Sequence, residues 1–212
     1  MSNFSIKAVD LSKYFGRRLI FKNLNFEFEN CGIMGISGAN GSGKSTLVKI
    51  IAGIISPSSG KIIHSNGESE IIYEKLHNYI GFVSPYLVLY EEFSAWENLE
   101  YFAEIRDVKF NREKIEYLLN KLLLFDRKGD MVKTYSSGMK QRLKFIFALM
   151  HSPMFVILDE PTSNLDSAGK DAVFQIIEEE SKSSIVIIAS NEESDLKLCS
   201  KEIKLEDFKN SK

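Results

Sequence analysis

The sequence predicts an α/β domain: a mostly parallel sheet, an antiparallel β part at the N-terminus, and an inserted helical subdomain. Three observations carry this reading. Strand signals at residues 155–158 and 185–189 are separated by a helical stretch at residues 168–180. Leu24-Asn25-Phe26-Glu27-Phe28-Glu29 alternates apolar and polar residues, as a half-buried strand does. Between them, residues 86–135 take on a helical texture, with Ile115, Leu118, Leu119, Leu122 and Phe125 on one face as subdomain core.

Taken in order, the N-terminal part alternates in strand fashion, and Gly32-Ile33-Met34-Gly35-Ile36 reads as a buried strand. Residues 45–52 read as a helix. Pro57-Ser58-Ser59-Gly60 is a turn, followed by a strand at residues 61–64 and a second turn at Asn66-Gly67. Residues 80–83 form another short strand before the helical region. With no internal repeat, low-complexity tract or linker, the chain reads as one domain over residues 1–212, its helical insertion spanning about residues 86–145.

The balance of 27 basic and 29 acidic residues gives a formal charge of -2, so nucleic acid is not expected as a partner. Cys31 and Cys199 lack metal-ligand spacing and suggest a reducing compartment, each as a small buried hydrophobe. No apolar run approaches the roughly 20 residues of a bilayer span, and residues 1–10 lack the basic start and apolar core of a signal peptide. Any membrane role is expected to pass through a partner.

Gly38-Ala39-Asn40-Gly41-Ser42-Gly43-Lys44-Ser45-Thr46 fits the phosphate-binding pattern G-x-x-x-x-G-K-[ST] between a strand and a helix. Glycines let successive N–H groups turn toward an anion, and the helix start adds its dipole. Lys44 is expected to reach the β- and γ-phosphates and Ser45 to offer its hydroxyl to Mg²⁺. A P-loop core that binds a nucleoside triphosphate with Mg²⁺ follows. Met154-Phe155-Val156-Ile157-Leu158-Asp159-Glu160 is an apolar strand ending in two carboxylates, at the strand end where open α/β sheets bind ligands. Asp159 suits a Mg²⁺ ligand and Glu160 a general base for an attacking water. Ser136, Ser137 and Gly138, ahead of an apolar helix, offer a second anion-binding helix start. If the insertion separates the two sites, one triphosphate reaches both only in a dimer.

Together these stretches resemble the nucleotide-binding subunit of ATP-binding cassette (ABC) transporters over nearly the whole chain. Ser136-Ser137-Gly138-Met139 matches the family signature, with Ser137 where the first glycine usually stands. The resemblance implies that Phe15 stacks on adenine, with core packing the other reading. It makes Asp166, in Ser163-Asn164-Leu165-Asp166, the acidic member of a loop reaching across the dimer; a helix N-cap is compatible with that role. Ile80-Gly81-Phe82-Val83 and Glu97-Asn98-Leu99 bracket the membrane-coupling loop. The aromatics around it, Trp96 and Tyr101 among them, divide between core and a groove for a membrane subunit.

The family pattern is broken twice. Pro85 stands where the coupling-loop glutamine belongs, and Asn191 where a histidine follows the last core strand. Asparagine can donate to a γ-phosphate but cannot become cationic. The implied function is an ATP-hydrolysing subunit with Glu160, Lys44 and Asn191 catalytic, pairing with a second nucleotide-binding chain, expected to be identical. It would energise a transmembrane permease subunit from the cytoplasmic face of the membrane, as small haem-exporter-like cassettes do. The rival readings are a soluble ABC ATPase of an assembly pathway and a slow-hydrolysing nucleotide-dependent switch.

Overall fold

A computed structural model describes residues 4–67 and 69–209. Strand β1 (Phe4–Phe15) turns at Gly16 into β2 (Arg18–Glu29), pairing antiparallel with Phe15 opposite Arg18 and Ser5 opposite Glu29. The alternation at residues 24–29 has the expected meaning: Leu24 and Phe28 are buried while Asn25, Glu27 and Glu29 face solvent. Strand β3 (Gly32–Ser37) leads through the glycine-rich loop into α1 (Lys44–Ile51). Then β4 (Ser59–Asn66) pairs antiparallel with β1, and β5 (Ser69–Glu70) completes a sheet of order β2-β1-β4-β5.

Strand β6 (Ile80–Val83) precedes three helices, α2 (Ala95–Ile105), α3 (Arg112–Lys121) and α4 (Ser137–Leu149). After them come β7 (Phe155–Asp159), α5 (Ser167–Glu180), β8 (Ile185–Ala189), α6 (Glu193–Leu196) and β9 (Lys201–Lys204). The second sheet has the order β6-β7-β8-β3-β9. All of its pairings are parallel, so the antiparallel strands sit wholly in the other sheet.

Helices cover both faces of this sheet, which explains its continuous apolar runs. Phe155 and Ile157 of β7 join a core shared with α1 and the antiparallel sheet, while Val156 and Leu158 point into a core shared with α2, α3 and α4.

The helical stretch is more broken than its composition suggests. Residues 84–94 are irregular, and α2 starts only at a capping box in which Ser94 and Glu97 satisfy each other's backbone N–H. Helix α3 stops at Lys121, short of Leu122 and Phe125, because Leu123 adopts a left-handed backbone with φ 57°. Ile115, Leu118, Leu119 and Leu122 are buried as expected, whereas Phe125 is half-buried on a 3₁₀ turn. Both cysteines are half-buried free thiols rather than fully buried ones. No described helix is long and apolar enough to cross a membrane.

Two histidines couple this packing to pH. His64 is buried edge-on against Phe155, ring centroids 5.3 Å apart, and burial pushes its pKa down to about 4. His151, its Nε2 3.1 Å from the Ile80 carbonyl, is also held at about 4 by burial and by the Arg106 charge. A depressed histidine pKa favours folding fully above the unfolded value of about 6.5, and that stability is lost as pH falls toward 4. Urea titrations at pH 7 and 4.5 are expected to record a loss of about 2–3 kcal/mol from His64 alone. His64→Leu removes that part, and an unchanged pH dependence in the variant contradicts the assignment.

Candidate functional site

The parallel order brings the C-terminal ends of β3, β7 and β8 side by side, with Asp159 opposite Ala189. The glycine-rich loop bends where side chains do not fit. A Cβ on Gly43 (φ 112°) would stand 2.4 Å from Ile20 Cγ2, and one on Gly38 (φ 152°) 2.6 Å from Ser42 Oγ. Helix α1 begins at Lys44 immediately beyond.

Lys44 is 5% exposed; its Nζ donates to the Gly38 carbonyl at 2.8 Å and lies 3.5 Å from Glu160 Oε1. Ser45 Oγ donates to Asp159 Oδ1 at 2.9 Å. Asp159 is fully buried, and its Oδ2 has no hydrogen-bond partner among the described residues. Burial pushes its carboxyl up; the Ser45 hydroxyl pulls it back, the Glu160 charge raises it, and Lys49 and Lys44 lower it. A cation beside Ser45 would pair this buried oxygen. Glu160 holds a left-handed backbone (φ 50°) while its N–H donates to the Ala189 carbonyl at 2.8 Å, so the strand ends with this side chain turned to the cleft.

A cavity of about 780 Å³ opens here, walled by Asn40–Thr46 and by Glu160, Pro85, Asn191 and Phe15. Phe15 is 52% exposed on its rim, which removes the core-packing reading. Gly38 and Ala39 shape the start of the loop without lining the cavity.

The second helix start packs against Asn164 of the cavity wall without lining the cavity itself. Ser136 caps α4 by accepting from Met139 N at 3.2 Å, and a Cβ on Gly138 would meet the Asn164 carbonyl at 2.9 Å. Ser136, Ser137, Gly138 and Met139 do not line the cavity, and neither does Asp166. Asp166 Oδ1 accepts from Gly169 N at 2.9 Å, an N-cap for α5.

Several contributors escaped sequence reasoning. Glu206, on a 3₁₀ turn anchored by buried Leu205, accepts from Ala39 N at 2.7 Å. Buried Lys144 on α4 donates to the carbonyls of Ser84 (3.2 Å) and Pro85 (2.8 Å), joining that helix to the loop at the cavity wall. Burial lowers its pKa. Tyr86 also lines the cavity, its ring centroid 4.7 Å from Lys49 Nζ. Tyr86 is one of the aromatics the sequence divided between core and a partner groove, whereas Glu206 and Lys144 are signalled by composition alone, because their contacts join segments far apart in the chain.

Comparison with known proteins gives a consistent picture. Residues 21–163 match the family model described as ABC transporter. The chain is 36% identical over 159 residues to an uncharacterized ABC transporter ATP-binding protein, YdbJ, of Bacillus subtilis, covering 75% of this chain and 51% of that protein. It thus spans about half the length of that relative. It is 35% identical over 187 residues to the lantibiotic transport ATP-binding protein SrtF of Streptococcus pyogenes, covering 88% of this chain and 79% of the relative. Among solved structures, a putative ABC transporter ATP-binding protein from Pyrococcus furiosus superposes with TM-score 0.84 at 26% identity, covering 97% of this chain and all of that one. A family match reaching from β2 past the two carboxylates, on a fold that gathers loop and carboxylates at the C-terminal ends of the inner strands, means that the chain belongs to the ABC transporter family.

Proposed function

We propose that the chain binds MgATP in the cavity between Phe15 and the glycine-rich loop and hydrolyses it. The observation that carries this reading is that Lys44, Ser45 and Glu160 line one cleft, with buried Asp159 held behind it by the Ser45 hydroxyl. Loop N–H groups and Lys44 hold the phosphates, Phe15 stacks on the base, and Glu160 takes a proton from the attacking water. The donor set fits Mg²⁺: Ser45 Oγ lies beside Asp159, whose second oxygen is buried without a partner. No group of three or more His, Cys, Asp or Glu side chains suited to a metal occurs among the described residues. Magnesium suits such a sparse set because it draws its other ligands from phosphate and water, and it neutralises phosphate charge.

Ser136-Ser137-Gly138-Met139 and Asp166 lie outside this cavity, which supports a dimer in which each chain completes its neighbour's site. In this reading the second chain is an identical copy, and closure on ATP drives a separate transmembrane permease subunit from the cytoplasmic face. Phosphate release by the purified chain tests the ATPase; co-purification of a polytopic subunit from membranes tests the partner.

Pro85 and Asn191 both face the cavity and support restrained turnover. A neutral amide stabilises developing phosphate charge less than an imidazolium, and one lost donor costs at most about 10²–10³ in rate. Asn191→His is expected to raise turnover several-fold and Pro85→Gln with Asn191→His to raise it further, read as steady-state phosphate release at saturating MgATP. A wild-type chain as fast as both variants makes Asn191 a full replacement.

A further inference from the structure

Beside the cavity lies a buried polar cluster that the reaction above does not use. Asp195 on α6 is 1% exposed, Thr162 1% and Ser190 0%. Thr162 Oγ1 donates to Asp195 Oδ1 at 2.8 Å. Ser190 Oγ lies 2.7 Å from Asp195 Oδ2 and 3.3 Å from Glu160 Oε2, and it accepts the Glu192 N–H at 3.0 Å. Thr162 belongs to the turn after β7 and Ser190 to the turn after β8, so Asp195 ties together two segments that both reach the cavity wall.

A serine hydroxyl carries one proton and cannot donate to two carboxylates at once. The Asp195 contact is the shorter, and a buried acceptor left unmet is the costlier. Ser190 therefore donates to Asp195, and Glu160 Oε2 faces a hydroxyl oxygen whose proton points elsewhere. We propose that Asp195 is a positioning residue: by holding the Ser190 proton, it keeps Glu160 Oε2 free to accept from water. This rests on the general-base role of Glu160 proposed above. Without a carboxylate at position 195, the Ser190 hydroxyl turns to Glu160, occupies the oxygen the water needs, and releases the turn at Thr162.

The test compares Asp195→Ala, Asp195→Asn, Ser190→Ala and the Asp195→Ala, Ser190→Ala pair by phosphate release, fluorescent-ATP titration and thermal melting. Asp195→Ala is expected to lower kcat about tenfold or more while nucleotide affinity stays within about twofold. Asp195→Asn, which keeps an acceptor for Ser190, restores most of the rate. Ser190→Ala in the Asp195→Ala background also recovers activity, because the competing donor is gone; a purely structural role predicts further loss. Equal loss in the asparagine and alanine variants, or no recovery in the pair, overturns the proposal. If Asp195→Ala does not fold, Ser190→Ala alone decides: turnover within about twofold of wild type supports the proposal and a tenfold loss overturns it. A wild-type chain that releases no phosphate overturns the ATPase reading itself, a result distinct from all of these.

Discussion

Lys44→Ala is expected to weaken MgATP binding by about 100-fold or more. The side chain is 5% exposed, with its ammonium on the Gly38 carbonyl and 3.5 Å from Glu160. Its partners inside the protein are a neutral carbonyl and one carboxylate, so a triphosphate offers far more negative charge at the same place. A charge-assisted hydrogen bond contributes roughly 1.5–3 kcal/mol, and tenfold in affinity is about 1.4 kcal/mol. The variant also leaves Glu160 without its cation and facing incoming phosphate. The glycine backbone remains, so residual weak binding is expected rather than none. Fluorescent-nucleotide titration reads the difference, and equal affinities remove Lys44 from the site.

Glu160→Gln is expected to keep ATP bound while slowing phosphate release by about 10²-fold or more, the cost of losing a general base. The amide preserves shape, and Lys44 retains its Gly38 contact, so binding survives. Asp159 and Ser45 are untouched by the change. ATP that is held but not cleaved should stabilise pairing of two chains through Ser136-Ser137-Gly138, visible as dimer on size-exclusion chromatography with MgATP. A variant that turns over at the wild-type rate excludes Glu160 as the base; one that binds nucleotide yet stays monomeric counts against the shared site.

Where local chemistry dictates structure, the sequence was legible. The glycine-rich loop, the apolar run into Asp159-Glu160 and the alternation at residues 24–29 each constrain themselves within a few residues, and each lies where expected. What was not legible is long-range. Nothing near Glu206 marks it as the acceptor for Ala39 N, and nothing near Lys144 announces the Ser84 and Pro85 carbonyls. The early end of α3 depends on Leu123 entering a left-handed conformation that its residue type disfavours, held there by the packing of Leu122 and Leu124. Strand order escapes periodicity for the same reason: an apolar strand carries no record of its neighbour.

The peptide unit between Gly38 and Ala39 is gripped from both sides. Its carbonyl takes the Lys44 ammonium and its N–H gives to Glu206, so neither end of the dipole is free to rotate. When an anion draws Lys44 forward, only the carbonyl end is released; Glu206 still holds the other and keeps the peptide from flipping. The lysine has already shed most of its water on folding, so capture exchanges one internal partner for an external one instead of stripping a hydrated charge. The loop therefore meets its ligand as a latch already set, with the ordering cost of the cradle met on folding.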